Sequence, residues 1–329
     1  MELGAEVVLA ADGRSKILLE QEFPELQMLQ LDGYRPVYPT GNMMVIKMAL
    51  QSPRLLKRVY CEHKELKAII KSEKIDLVIS DNRFGLSTRL VPCVIINHQL
   101  NIQMPGWFKF MQPAVNWMNR YFVRQFSECW IPDSPGENSL TGKLTEGFEG
   151  REGFHFIGPL SRLTEPENTG RFDHEVLVLL SGAEPQRTVF EEKVISQLKN
   201  SDKKVLVVQG ITETRTSVCI SEKLCLESYL TSTEVAQAIT QAEVVIARSG
   251  YSTVMDLAKL RKKAILIPTP GQTEQEYLGE RLAEQGVAVV QGQDKLHLSQ
   301  SIQEIEPLNA TFAQHPETFD RVIERFVVG

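Results

Sequence analysis

The chain has 329 residues, of which 42% are apolar and 24% are charged. This composition is close to that of ordinary globular proteins, and the length corresponds to about two domains. Disordered tails, fibrous repeats and small disulfide-stabilised scaffolds are thereby excluded. Lys and Arg total 36 against 42 for Asp and Glu, a formal net charge of -6, so nucleic acid is not expected as a partner.

Short apolar segments alternate with longer helical stretches along the chain. Continuous Val, Ile and Leu runs between helices are typical of parallel strands that are covered on both faces. The pattern therefore predicts an α/β fold. The predicted strands are residues 6–10, 76–80, 92–97, 128–131, 176–180, 204–208, 243–247, 264–267 and 287–290.

A polar segment, SRLTEPENTGRFDH at 161–174, separates two sets of predicted strands and contains Pro166 and Gly170. We interpret it as a linker between two doubly wound, Rossmann-like domains, 1–160 and 161–329. Ligands of such domains bind beyond the carboxyl ends of the strands, so a cleft between the two domains is the expected site. The usual opening strand and glycine-rich turn are not found before residue 6. The first domain is therefore expected to lack its first strand, either naturally or because the true start lies upstream.

Five cysteines, at positions 61, 93, 129, 219 and 225, include no Cys-x-x-Cys pair and have no histidines at zinc-binding spacing. They are predicted to be reduced thiols in the core, and no metal site is expected. The chain has no apolar run of 18 residues and no secretory signal, which favours a cytoplasmic location.

The most informative segment is AEVVIARSGYSTVMDLAKLRKKAILIP at 242–268, in which a strand leads through Ser249 and Gly250 into a helix. The amino terminus of a helix carries unpaired N–H groups and a partial positive charge, which suit a diphosphate. Gly250 allows close approach to the backbone, and Ser252 and Thr253 lie in the first turn. Asp256, one turn later, could accept hydrogen bonds from a ribose. The alternative is that Ser249 is an ordinary N-cap and Asp256 a solvated helix residue.

Residues 242–290, including RSGYSTVMDLAKL and GQTEQEYLGERLAEQGVAVV, resemble the carboxyl-terminal half of the MurG family of peptidoglycan N-acetylglucosaminyltransferases. Ser181-Gly182-Ala183 is similar to a glycine-rich loop of that family. The resemblance extends over about residues 175–292 and is weak before them. It implies the two-domain GT-B fold and transfer of a sugar from a UDP-sugar, with UDP-N-acetylglucosamine as one candidate.

The resemblance also implies a nucleotide-sugar site. Gly182 and the segment Ser249, Gly250, Tyr251, Ser252 and Thr253 would surround the diphosphate, and Asp256 would replace a family glutamate at the ribose. Gln275 would contact the donor sugar, and Glu276 stands where the family has a second glutamine. Residues 230–232 fall near the segment that reads the uracil.

Polar turns follow two predicted strands of the first domain, at 80–85 and 97–101. His98 has the chemistry of a general base for an acceptor hydroxyl, although a histidine at a strand end is also a common structural residue. His98 and Asn101 resemble members of a His-Glu-Gln-Asn loop in the family, which makes them the catalytic candidates.

Two segments, 41–59 and 104–126, combine aromatic or Met side chains with basic ones. Such a combination on a helix suits a membrane interface, as a lipid-linked acceptor would require. Ordinary core packing with extended basic side chains is the alternative.

Neither a Walker loop nor a Gly-x-Gly-x-x-Gly dinucleotide motif occurs in the chain. Their absence argues against a kinase or a dehydrogenase. The family resemblance implies an inverting, metal-independent glycosyltransferase without cofactor. Its donor would be a UDP-sugar, its acceptor a lipid-linked or cell-envelope molecule, and its location the cytoplasm, peripherally at the inner face of the membrane. A nucleotide-sugar epimerase or hydrolase, or a binding protein without transfer activity, remains open.

Overall fold

The structure is a computed structural model and describes residues 4–33, 44–166, 172–308, 311–313 and 319–327. Its contacts divide the chain into two units, with the boundary between Pro159 and Leu160. Residues 319–327 group with the first unit.

Strands and helices alternate through both units. The strands are β1 (Val8–Ala11), β2 (Gln27–Gln30), β3 (Val78–Asp81), β4 (Cys93–Ile96), β5 (Glu128–Ile131), β6 (Phe154–Phe156), β7 (Val176–Leu179), β8 (Val205–Val208), β9 (Ser217–Ser221), β10 (Leu224–Glu227), β11 (Val244–Ala247), β12 (Ala264–Leu266) and β13 (Ala288–Val290). The helices are α1 (Gly13–Glu22), α2 (Met44–Glu73), α3 (Gln112–Val123), α4 (Gln186–Leu198), α5 (Ser232–Gln241), α6 (Tyr251–Lys259), α7 (Thr273–Glu284), α8 (Leu298–Ile305) and α9 (Phe319–Val327).

The first unit contains two parallel sheets, a pair β1-β2 and a four-stranded sheet in the order β3-β4-β5-β6. Its core joins strand residues such as Ile95 and Ile131 to Leu66 and Ile70 of α2. The final helix α9 packs on the first unit, because Phe319 and Phe326 contact the fully buried Trp130 at ring distances of 5.8 and 6.0 Å.

The second unit has one seven-stranded sheet in the order β13-β12-β11-β7-β8-β10-β9, with all pairs parallel except β9-β10. Its inner strands are Val, Ile and Leu runs that are buried on both faces, as expected for a parallel sheet covered by helices. From β7 the chain first builds one side of the sheet, with β8, β10 and β9. It then crosses over and builds the other side, with β11, β12 and β13. The point between β7 and β11 is therefore the topological switch point, beyond whose carboxyl ends such sheets bind ligands.

The predicted α/β class with parallel sheets is confirmed, and each predicted strand overlaps an observed one. The sequence analysis missed β2, β6, β9 and β10. The missed β9 is exposed along its whole length, and β2 reads Gln-Met-Leu-Gln, so neither has the apolar run that identifies a buried strand.

The prediction of five reduced core thiols was wrong for two cysteines. Cys219 and Cys225 form a disulfide across the β9-β10 hairpin, where the antiparallel register places them opposite each other. Two cysteines six residues apart can face each other across a hairpin or remain unpaired, so their spacing in the sequence does not predict the disulfide. Cys93 and Cys129 are buried free thiols, and Cys61 is a partly exposed one.

The start of the predicted linker is packed structure. The Leu160 N–H donates to the Met255 sulfur on α6, and Leu163 is buried. The middle of the segment, 167–171, lies outside the described residues.

A capping box begins α5, and it supplies a stability prediction. The Thr231 side chain accepts from the Glu234 N–H, and the Glu234 carboxylate accepts from the Thr231 N–H at 2.8 Å. Thr231→Ala should cost about 1 kcal/mol, which should lower the melting temperature by roughly 2–4 °C. Thr231→Ser keeps the acceptor and should melt like the wild-type protein. Equal melting of the Ala variant and the wild-type protein in a thermal scan would contradict the role of the cap.

Candidate functional site

The switch point of the second unit is bordered by two turns that contain glycine. After β7, Gly182 has a φ of +100°, a conformation that favours glycine over residues with a side chain. After β11, Gly250 is the N-cap of α6. Gly182 and the segment 249–253, which the sequence analysis placed around a diphosphate, thus follow neighbouring strands at the same edge of one sheet.

The amino terminus of α6 has no side-chain cap, because its N-cap residue is Gly250. The first N–H groups of an α-helix have no carbonyl partners within the helix itself. Tyr251 is buried, Ser252 is exposed and Thr253 is half-buried. A helix end with these properties is chemically suited to an anion.

Ser249 is fully buried, and its hydroxyl donates to the Gln275 carbonyl at 2.7 Å. The alternative interpretation of Ser249 as the N-cap was wrong, because that position is Gly250. Ser249 therefore fastens the start of α7 to the start of α6.

Gln275 lies over the same helix end. Its side-chain oxygen accepts from the Thr269 N–H at 2.8 Å, which leaves the amide nitrogen facing the other way. That nitrogen is 3.9 Å from the point where a Cβ on Gly250 would stand. A fixed N–H donor thus lies beside Gly250. The neighbouring Glu276 accepts from the Gly271 N–H at 3.2 Å, in the loop that precedes α7.

Asp256 lies one turn into α6 and is half-buried. One of its carboxylate oxygens accepts from the Ser161 hydroxyl at 2.6 Å. Burial raises the pKa of Asp256, while the Ser161 hydrogen bond and the charge of Arg162 lower it to a lesser extent. Ser161 escaped the sequence analysis, because it lies 95 residues away in a segment interpreted as linker.

Arg248 is the residue of this site whose role the sequence analysis missed. It is 1% exposed, and its guanidinium donates to the carbonyls of Ile267, Pro268 and Gln186 at 3.0–3.2 Å and to the side chain of Gln293. These acceptors follow β12, begin α4 and follow β13. One side chain thus holds the loops around the switch point together. The sequence places Arg248 directly after a buried strand but does not show that its side chain is buried.

In the first unit, His98 follows β4 and Asp81 ends the neighbouring strand β3. The two side chains are close enough to interact electrostatically. The charge of His98 lowers the pKa of Asp81, and burial raises that pKa more strongly. A carboxylate beside an imidazole is an arrangement that can orient a general base. Asp81 was in a turn noted from the sequence, but its pairing with His98 required the register of the sheet.

Both polar side-chain atoms of Asn101 form hydrogen bonds within the first unit. Its amide nitrogen donates to the carbonyls of Lys143 and Glu146 at 3.0 Å, and its oxygen accepts from Arg120 at 2.7 Å. These bonds favour a structural role for Asn101, so we retain His98 as the candidate base.

The aromatic segment 104–126 is largely at the surface of the first unit. Phe110 is 79% exposed, Trp117 71%, Tyr121 53% and Met118 45%. Core packing therefore does not explain these four side chains, which we call the aromatic face. In the other segment, residues 41–43 lie outside the described residues. Among the helices that the structure describes, none has the length and apolar character needed to cross a membrane.

Comparison with known proteins gives this geometry a family context. Residues 180–322 match the model described as the glycosyltransferase family 28 C-terminal domain. An uncharacterized glycosyltransferase of Methanopyrus kandleri is 21% identical over 92% of this chain and 89% of its own. The UDP-N-acetylglucosamine--N-acetylmuramyl-(pentapeptide) pyrophosphoryl-undecaprenol N-acetylglucosamine transferase of Prochlorococcus marinus is 24% identical over 73% of this chain and 64% of its own.

The chain is similar to MurG and has the GT-B glycosyltransferase fold. The crystal structure of MurG from Acinetobacter baumannii superposes with a TM-score of 0.50, at 15% identity, over 100% of this chain and 92% of that one. The glycosyltransferase of kitacinnamycin gives 0.61 at 13% identity, over 99% and 88%. The Staphylococcus aureus MnaA–UDP structure gives 0.56 at 13% identity, over 97% and 94%. The resemblance drawn from the sequence motifs of this MurG-like protein is thus confirmed.

The raised pKa of Asp256 predicts a pH-dependent effect on stability. A carboxyl group whose pKa is higher in the folded state than in the unfolded state destabilises the fold when it is ionised. This penalty shrinks as the pH falls from the folded-state pKa and is lost below the pKa of the unfolded chain. Asp256→Asn keeps an oxygen that accepts from Ser161 but removes the charge. We expect its melting temperature to exceed that of the wild-type protein at pH 7.5, with the difference shrinking at acid pH.

The matched control is Asp202→Asn, which changes a fully exposed carboxylate and should leave melting unchanged at both pH values. A melting temperature of Asp256→Asn below the wild-type value at pH 7.5 would contradict the prediction.

Proposed function

We propose that this MurG-like protein transfers a sugar from a UDP-sugar to an acceptor hydroxyl, with inversion at the anomeric carbon and without a resident metal. The observation that carries the proposal is the uncapped amino terminus of α6 at the switch point of the second unit, with the Gln275 amide beside Gly250. Backbone N–H groups and a helix dipole stabilise the negative charge that develops on a departing diphosphate. Among the described residues, no group of three His, Cys, Asp or Glu is placed to hold a metal ion.

In the proposed reaction, the acceptor oxygen attacks the anomeric carbon and the bond from that carbon to the β-phosphate oxygen breaks. UDP is the leaving group and stays bound at the amino terminus of α6. The acceptor proton passes to the imidazole of His98, which Asp81 orients.

We propose uridine diphosphate as the donor nucleotide. The name of the Prochlorococcus relative specifies a UDP-N-acetylglucosamine donor, and the MnaA neighbour was solved with UDP. In this chain, the oxygen of Asp256 that does not bind Ser161 would accept from the ribose hydroxyls.

A second candidate reaction has support from one observation. A putative UDP-N-acetylglucosamine 2-epimerase from Listeria monocytogenes superposes with a TM-score of 0.57 over 97% of this chain. An epimerase or hydrolase would consume UDP-sugar without an acceptor, and a binding protein would not consume it at all.

Measurement of UDP release from UDP-N-acetylglucosamine, with and without lipid-linked sugar acceptors, separates these functions. We expect release that depends on acceptor. Release without acceptor supports the hydrolase, conversion to an isomeric UDP-sugar without release supports the epimerase, and binding without either supports the binding protein. His98→Gln should lower the turnover number by roughly 10²-fold while UDP affinity stays constant. His297→Gln, at an exposed position of the second unit, is the matched control and should retain full turnover. Full activity of His98→Gln would refute its role as base.

We further propose that the protein works at the cytoplasmic surface of the membrane, on a lipid-linked acceptor. The name of the Prochlorococcus relative specifies a pyrophosphoryl-undecaprenol acceptor. The aromatic face would enter the headgroup region, because its side chains are exposed and apolar. Two of them, Trp117 and Tyr121, stack with their ring centroids 6.1 Å apart. Lys109 and Arg124 are exposed in the same segment and would attract anionic lipid.

Flotation with vesicles of anionic lipid tests this surface. The wild-type protein should float with the vesicles at low salt, and the double variant Trp117→Ser, Tyr121→Ser should remain in the dense fraction. Val218→Ser removes a side chain that is 58% exposed in the second unit and should float like the wild-type protein. Wild-type protein that stays in the dense fraction would refute membrane contact.

A further inference from the structure

Two arginines of the second unit are buried but differ in how their charge is balanced. Arg187, 7% exposed, forms ion pairs with Glu184 at 2.6 Å and Glu191 at 2.8 Å. Arg248 is 1% exposed and forms no ion pair with any residue that the structure describes. The same unit therefore neutralises one buried guanidinium and leaves the other positive.

All the hydrogen-bond acceptors of Arg248 are neutral. Three are backbone carbonyls and the fourth is the side-chain oxygen of Gln293. Its Nε is buried without a partner, and its guanidinium carbon lies 4.2 Å from the centre of the Phe190 ring. The contacts orient the side chain but supply no opposite charge.

A buried charge without an opposite charge destabilises a fold. Burial lowers the pKa of Arg248 to about 10, so the guanidinium stays protonated at neutral pH. Arg248 directly precedes Ser249 and Gly250, where α6 begins, and its guanidinium binds the carbonyls that follow β12. In a site with a low dielectric constant, such a charge acts over several ångströms on any anion held at that helix end.

We propose that Arg248 is a positioning residue whose unneutralised charge reinforces the amino terminus of α6 and strengthens the binding of a diphosphate there. The inference rests on the proposed function, because the diphosphate is that of the UDP-sugar donor. It assigns two roles to one side chain. Its hydrogen bonds hold the loops of the site, and its charge contributes to the affinity for the donor.

The two roles can be separated by neutralising Arg248 without removing it. Gln293 is 4% exposed, accepts from Arg248 and donates to the Gln186 side chain at 3.0 Å. Gln293→Glu keeps the shape and the acceptor and adds a negative charge, while the Gln186 amide can rotate to donate to the new carboxylate. We expect a melting temperature equal to or above the wild-type value, because a buried charge gains a partner.

Calorimetric titrations with UDP and with uridine provide the decisive comparison. Gln293→Glu should weaken UDP binding by about tenfold, equivalent to about 1.4 kcal/mol. Uridine carries no charge, so its affinity should change by less than about twofold. The control Gln291→Glu adds the same charge at a half-buried position whose oxygen accepts from the His297 N–H, and it should leave UDP affinity within about twofold.

Unchanged UDP affinity in Gln293→Glu would overturn the role of the Arg248 charge and leave the proposed function standing. Equal losses of UDP and uridine affinity would show distortion of the site and would also overturn it. Absence of UDP binding by the wild-type protein would overturn the proposed function itself, and the inference with it.

Discussion

A single buried guanidinium organises the carboxyl edge of the second sheet. Arg248 follows β11 and donates to carbonyls after β12 and at the start of α4, and to a side chain after β13. Loops at the ends of parallel strands have no ladder bonds of their own, so a side chain with several donors is an efficient way to connect them. Because the candidate site consists of these loops, its geometry depends on this one residue.

Around the start of α6, side chains make the structural hydrogen bonds, and the N-cap position is a glycine. Ser249 and Thr269 are buried and fix Gln275, whereas the N-cap residue of the helix, Gly250, has no side chain. The buried hydrogen bonds thus hold Gln275 in place, and the donors beside Gly250 are the start of the helix and the Gln275 amide. Anion binding by such a site changes little with side-chain conformation, because the donors are held by the helix itself.

Two features of the site reduce the stability of the protein without ligand. Arg248 is a buried cation without a counter-charge, and burial raises the pKa of the Asp256 carboxyl group. Under the proposed function, a bound nucleotide diphosphate would offset both, since its phosphates would lie within range of the Arg248 charge and its ribose hydroxyls would donate to Asp256. Perturbed groups of this kind concentrate at functional sites, where ligand binding offsets the loss of stability.

Much of the fold and part of the site could be read from the sequence. Buried parallel strands require apolar runs, so the strands, the α/β class and the family resemblance of segment 242–290 followed directly from residue types. Exposed or short strands, such as β9 and β6, carry no such signal. The sequence placed Gly250 at a helix start, but only the structure showed that this glycine, rather than Ser249, is the N-cap.

Contacts between distant residues were decided by tertiary structure alone. Cys219 and Cys225 meet because of a hairpin register, Ser161 reaches Asp256 across 95 residues, and Asn101 turns out to hold a loop of the first unit. The aromatic face is exposed because α3 turns Trp117 and Tyr121 away from the core, a choice that helical spacing leaves open. The sequence by itself determined which segments are buried strands and where a helix begins after one of them, since those properties are local. Which charges are neutralised, as for Arg187 and not Arg248, was decided only by packing, because the partners come from separate parts of the chain.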